Sequence, residues 1–269
     1  MTERAIHSQN GDTYYWVSRH GNPFAKCVVF LHGLSADHTL FDHQMAYFSK
    51  KYTIIVWDAP AHGKSRPYSG FTYAAAAAEL CTILDAEGIE KAVLAGQGMG
   101  SLVAQAFTEK YPQKTTALIG IGALPFDTSF YSGRDRWFFK QAGWISRLYS
   151  EQKLREKMAR SCTCTQEAYQ AMLDSLAPLS VKEIFALLKL SFSGFMRELH
   201  DIPLSCPVML LVGEQDNVRK VLQYGQWWSE KCKYPLHIIK NAAHNANFDN
   251  PDVCNSLMEE FLSALSETV

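Results

Sequence analysis

The sequence predicts an α/β protein, with a mostly parallel central sheet flanked by helices and a helical cap insertion. Three observations carry this reading. Short apolar runs rich in Val, Ile and Leu alternate with helical patterns along most of the chain. That alternation gives way to helical patterns alone between about Pro125 and Asp201. One apolar run climbs to Gly96, breaks into alternating glycines and leaves as a helix, in "KAVLAGQGMGSLVAQAF", Lys91 to Phe107.

The strands are taken in order. "KCVVFLHG" reads as a buried strand closed by Gly33, and "YTIIVWDAP" as another, stopped by Pro60. "KAVLAG", "TTALIGIGAL", "CPVMLLVGEQD" and "YPLHIIKNAAH" follow. Continuous apolar runs of this length suit strands covered on both faces. Between them, "TYAAAAAELCTILDAEG" opens on Thr72 as an N-cap and closes at Gly88. Its Ala74 to Ala78 run has high helix propensity. "MGSLVAQAFTEKYP" stops before Pro112, and "NPDVCNSLMEEFLSAL" carries Pro251 near its start. Strand and helix in alternation imply parallel strands joined by right-handed crossovers.

The interruption comprises "RDRWFFKQAGWISRLY", "SEQKLREKMAR", "TQEAYQAMLDSLA" and "VKEIFALLKLSFSGFMREL". The body is therefore assigned to 1–124 and 201–269, and the cap to 125–200. Trp137, Phe138, Phe139 and Trp144 are expected to face the body or a pocket beneath the cap. Of these, Trp137, Phe138 and Trp144 are the candidate substrate-binding residues. Core packing between cap and body is the alternative for each.

With 269 residues, 47% of them hydrophobic, the chain can bury a substantial core. The net charge of −1 offers no basic surplus for nucleic acid. The seven cysteines are scattered, with Cys162 and Cys164 the one close pair, which fits reduced thiols in a cytoplasmic protein. The N-terminal "MTERAIHSQNGDTYYW" has no apolar h-region. No apolar run reaches the ~18 residues of a membrane span. His38 and His43 raise the question of a metal, but no H-E-x-x-H spacing is present, and none is assigned. "GKS" at Gly63–Ser65 fails as a phosphate loop because Asp58 stands where a glycine is required. Gly96-x-Gly98-x-x-Ser101 falls one glycine short of a dinucleotide fingerprint. No cofactor is expected, and the sequence sets no oligomeric state.

The glycine break has the form of a nucleophile elbow, G-x-S-x-G, in which a strand turns so sharply into a helix that the central side chain stands clear of the sheet edge. Gly96-Gln97-Gly98-Met99-Gly100 has the flanking glycines and lacks the serine. Other segments agree in order. "FLHGLSADHTLF" resembles the His-Gly loop of the α/β-hydrolase superfamily, and "VWDAPAHGKS" its D-x-x-G-x-G-x-S segment, with Ala61 in place of a glycine. "LLVGEQD" resembles the strand end carrying the acid, and "NAAHNANFDNP" the loop carrying the base. The chain thus resembles a capped α/β-hydrolase over nearly its whole length.

The resemblance implies an α/β-hydrolase fold and roles for particular residues. Gly98 occupies the nucleophile position, Asp216 that of the acid and His244 that of the base. Glu214 is a neighbouring acid, set aside because Asp216 stands at the family's position. The N–H groups of Met99 and Leu34 would form the oxyanion hole. The implied activity is hydrolysis of a carboxylic ester or related acyl bond, and the aromatic-rich cap points to a small to medium, partly apolar substrate. Read singly, His244 is a surface or hydrogen-bonded histidine, Asp216 a helix N-cap, His32 a structural residue of its loop, and His62 an exposed turn residue.

Without a hydroxyl at position 98 no acyl-enzyme can form there, and Ser101 lies a helical turn away. Two readings of Gly98 stand. Either serine belongs at this position and the glycine disarms the enzyme, or the glycine is native to a ligand-binding or receptor protein on a hydrolase frame. The intact Asp216 and His244 favour the first.

Overall fold

The computed structural model describes residues 1–265 except Pro23, 146–149 and Arg219; within the helices, the side chains of Phe138, Lys140 and 142–145 also lie outside the description. Eight strands form one sheet in the order β1-β2-β4-β3-β5-β6-β7-β8. The six expected from the sequence are β3 (Cys27–Leu31), β4 (Thr53–Trp57), β5 (Ala92–Gln97), β6 (Thr115–Ile121), β7 (Val208–Gly213) and β8 (Leu236–Ile239). All six are parallel to their neighbours among them. The sequence reading did not anticipate β1 (Thr2–Ser8) and β2 (Gly11–Ser18), an antiparallel hairpin added beside β4. The reason is burial. In β2 only alternate residues are buried, Thr13, Tyr15 and Val17, so its signal is a period of two rather than an apolar run.

Alternation across the strands builds two cores. Val29, Leu31 and Leu94 face α2 (Tyr73–Ala86), α3 (Met99–Lys110) and α9 (Val221–Cys232). Val28, Phe30, Val93 and Ala95 face α1 (Asp42–Phe48) and α11 (Pro251–Ala264). Local chemistry sets the helix ends. The Thr72 hydroxyl accepts from Ala75 N–H at 2.9 Å, while the Glu198 carboxylate accepts from Tyr73 and Ala74 N–H at 3.0 and 3.1 Å. A side-chain acceptor and a negative charge at one N-terminus satisfy three orphan donors there.

Between β6 and β7 the chain forms α4 (Gly133–Ile145), α5 (Glu151–Cys162), α6 (Gln166–Leu176), α7 (Val181–Leu188) and α8 (Gly194–Glu198). Leu154, Ala159, Met172, Leu176, Leu179, Ile184 and Leu187 give this insertion an apolar cluster of its own. Phe139 and Phe195 join the body core instead, with Phe195 edge-on to Phe126 and Tyr131. No helix among the described residues is long and apolar enough to cross a membrane.

Backbones approach closely where α3 leaves β5. A β-carbon at Gly100 would run into the Leu31 carbonyl of β3. Overpacking of this kind costs about 1–3 kcal/mol. Gly100→Ala is therefore expected to lose stability on that scale, read as a lower midpoint of urea unfolding with an unchanged slope.

Candidate active site

β5 runs to Gln97, and Gly98 then turns the chain into α3 with φ 50° and ψ −113°. That φ lies in the region that favours glycine. The turn is pinned on both sides. Gly98 N–H donates to the Ile121 carbonyl of β6 at 2.9 Å, and the Gly98 carbonyl accepts from Ser101 N–H at 3.1 Å and the Ser101 hydroxyl at 2.7 Å. Ser101 is fully buried and spends its hydroxyl on the turn, so it is no substitute nucleophile.

Asp216 lies in the turn after β7, held by its N–H to the Gly213 carbonyl at 3.1 Å. One carboxylate oxygen accepts from Val218 N–H at 2.9 Å, and the other faces His244 Nδ1 at 2.9 Å. Glu214 points to solvent. A carboxylate only accepts, so Nδ1 carries the proton and Nε2 presents its lone pair. That lone pair faces the turn: a β-carbon built on Gly98 would lie 3.0 Å from His244 Nε2. Gln97 steadies the same loop, its amide donating to the His244 carbonyl at 3.1 Å. Sequence reasoning missed Gln97, although its place inside the glycine break was the available signal.

Gly98 and His244 line a cavity of about 370 Å³ between sheet and insertion. Leu34 and Met99 line it too. Met99 is the first residue of α3, so its N–H is one of the helix's unpaired donors. The remaining wall is largely apolar, with Leu124, Met158, Met172, Phe192 and Phe195, and with Asn245 and Lys157 as polar members. Of the aromatic residues named from sequence, Trp137 and Phe139 are not among the described residues of this wall. Trp137 is 59% exposed and is absent from the described lining. It lies on the outer side of α4, where helical periodicity turns every third or fourth residue outward. The side chains of Phe138 and Trp144 lie outside the described residues.

Two other histidines behave differently from one another. His32 is structural, as expected: Ala59 N–H donates to its Nε2 at 2.9 Å and its Nδ1 contacts the Gly33 carbonyl at 2.7 Å. His62 is not exposed, as its turn position suggested, but 1% accessible, with Nδ1 on the Pro60 carbonyl at 3.1 Å. His38 pairs with Asp58 at 2.8 Å rather than with His43. Asp37, His38 and Asp58 bring ligand-type atoms within 4.8 Å. Both Asp58 oxygens already accept hydrogen bonds, from His38 and from Lys64 N–H.

A sheet that delivers a left-handed elbow beneath a carboxylate-paired imidazole defines the hydrolase class of α/β proteins. The comparisons agree: the chain belongs to the alpha/beta hydrolase family, whose sequence model matches residues 28–257. The 3-oxoadipate enol-lactonase 2 of Acinetobacter baylyi is 23% identical over 251 residues, 86% of each chain. A match to the dihydrolipoyllysine-residue acetyltransferase component of the acetoin cleaving system of Cupriavidus necator is 28% identical over 150 residues, spanning 49% of this chain and 40% of that protein. Among solved structures, a malate-bound thermophilic esterase from Thermogutta terrifontis superposes with TM-score 0.77 at 21% identity, covering 98% of this chain and 99% of that one. A serine-to-glycine mutant of an N-acyl homoserine lactonase, complexed with N-hexanoyl homoserine lactone, gives TM-score 0.79 at 19% identity over 99% of both chains.

Burial pushes the His62 imidazole down from 6.5 to about 3, with the neighbouring His32 acting in the same direction. The folded state therefore binds fewer protons at His62 than the unfolded chain does. Its contribution to stability is complete above about pH 6.5 and is lost as the pH falls from there toward 3. His62→Gln is expected to flatten the fall of the melting temperature between neutral and mildly acidic pH. An unchanged slope would assign that acid sensitivity to other groups.

Proposed function

We propose that this chain is the frame of a serine hydrolase for carboxylic esters or lactones, with glycine at the nucleophile position. One observation carries the reading: His244 holds Asp216 through Nδ1 at 2.9 Å while Nε2 stands 3.0 Å from the place of a β-carbon on residue 98. An imidazole oriented by a carboxylate and aimed at an elbow is the arrangement that activates a hydroxyl. The esterase and lactonase names among the similar proteins support the same bond class.

In the serine form, the hydroxyl oxygen attacks the acyl carbon and its proton passes to His244 Nε2. The negative oxygen that develops is met by the N–H groups of Met99 and Leu34. His244 then protonates the departing alkoxide, leaving an acyl-enzyme. Water, losing its proton to the same nitrogen, hydrolyses it and restores the serine. Asp216 stays ionised throughout, holding the tautomer and balancing the imidazolium. The apolar wall suits a small, partly apolar acyl group. Lactone opening follows the same steps, with the leaving oxygen tethered to the acyl group.

In the chain as it stands no acyl-enzyme forms. A triad lacking one member retains roughly 10³–10⁴-fold acceleration over water, which is near silence beside ordinary turnover. The binding cavity and donors remain, so substrate can be held uncleaved.

Gly98→Ser is expected to give burst kinetics with p-nitrophenyl butyrate and a covalent acyl adduct by mass spectrometry. His244→Ala on that background should abolish the burst. The serine also meets the positive φ, which costs about 1–3 kcal/mol of stability. A folded Gly98→Ser protein with no gain in activity would overturn the hydrolase reading and favour a ligand-binding role.

A further inference from the structure

Asp249 lies five residues beyond His244, at the end of the short helix α10 (Ala246–Asp249), and is buried. Its carboxylate is surrounded by donors from two parts of the chain. Oδ1 accepts from Thr165 N–H at 2.9 Å, the Thr165 hydroxyl at 3.0 Å and Cys164 N–H at 3.0 Å. Oδ2 accepts from Ala243 N–H at 2.9 Å and shares Cys164 N–H at 3.1 Å. One oxygen thus grips the turn between α5 and α6 of the insertion. The other grips the N–H of Ala243, the residue before His244. On the far side of His244, Asn245 N–H donates to the Cys162 carbonyl at 2.8 Å. The Cys164 thiol adds a contact to the Asn241 carbonyl at 3.0 Å. Both neighbours of His244 are therefore bound, directly or through one carboxylate, to the same four-residue turn.

A carboxylate is the group this junction requires, because every partner is a donor. Asparagine would keep one acceptor and turn an NH₂ toward either the insertion or Ala243 N–H. We infer that Asp249 is a positioning residue, which fastens the 162–165 turn of the insertion to the loop carrying His244, so that the imidazole stands over residue 98 only while the insertion is seated. This rests on the reading of His244 as the base. Asp249 touches no reacting atom and acts through the backbone at 243. The cap and the base then form one mechanical unit, and displacing the turn displaces the imidazole.

The test has two arms. In the Gly98→Ser enzyme, Asp249→Asn should lower kcat for p-nitrophenyl butyrate by up to about a hundredfold, the scale of an ångström-sized misplacement, with KM little changed. In the glycine chain, where no turnover is needed, Asp249→Asn should erase the downfield Nδ1 proton resonance of His244. It should also speed amide exchange at 162–165 and 243–245 together. Thr165→Ala, a milder change on the insertion side, should shift the same signals in the same direction and decides the matter if Asp249→Asn does not fold. Faster exchange confined to 162–165, with the His244 resonance and kcat intact, would overturn the inference. A silent Gly98→Ser enzyme would overturn the hydrolase reading alone, since the resonance and exchange measurements stand without it.

Discussion

One turn of backbone governs the site. At Gly98 the chain passes from a strand paired on both sides into a helix packed flat on the sheet, and it has one residue in which to do so. The turn cannot relax forward, because Gly100 already lies against the Leu31 carbonyl. It cannot relax sideways, because the Gly98 N–H is tied to β6 and its carbonyl to Ser101. Residue 98 is therefore held at the carboxyl end of the sheet, where the loops after β3, β7 and β8 also gather. Open α/β sheets place their ligand sites at this edge. Glycine in such a conformation carries none of the torsional cost that a side chain would bring, and the elbow keeps its form with no side chain at residue 98.

Much of this was legible in the sequence because it depends on local order. The six parallel strands are continuous apolar runs, and their turns carry Gly or Pro at the points where they break. Gly98, Asp216 and His244 were picked out from the loops that end those strands, and the structure brings Asp216 and His244 within 2.9 Å of each other. The turn after β7 buries Asp216 and exposes Glu214.

What was not legible depends on packing between distant segments. The hairpin of β1 and β2 buries only alternate residues, so it offered no run to find. Trp137 belongs to an aromatic-rich stretch, but which of its side chains face inward is set by how α4 rests on the body. His62 looked like a surface turn residue because it follows Pro60, yet it is buried, with the His32 ring edge-on at 5.3 Å. Asp249 had no motif value, since its role arises from a turn more than eighty residues earlier in the chain.

Helices α5 to α7 fold around an apolar cluster of their own, which Leu34 and Ala61 of the body pack against. Shape and polarity of the chamber can consequently be re-engineered by exchanging α5 to α7, provided the contacts that bind them to the frame are kept. A graft of foreign helices must match this inner corner: it has to offer two backbone amides and a hydroxyl to the Asp249 carboxylate, and a carbonyl to Asn245 N–H. Modularity here ends at a keyed joint on one side and, on the other, at Phe139, Phe195 and Glu198, which anchor the flanking helices α4 and α8 in the body.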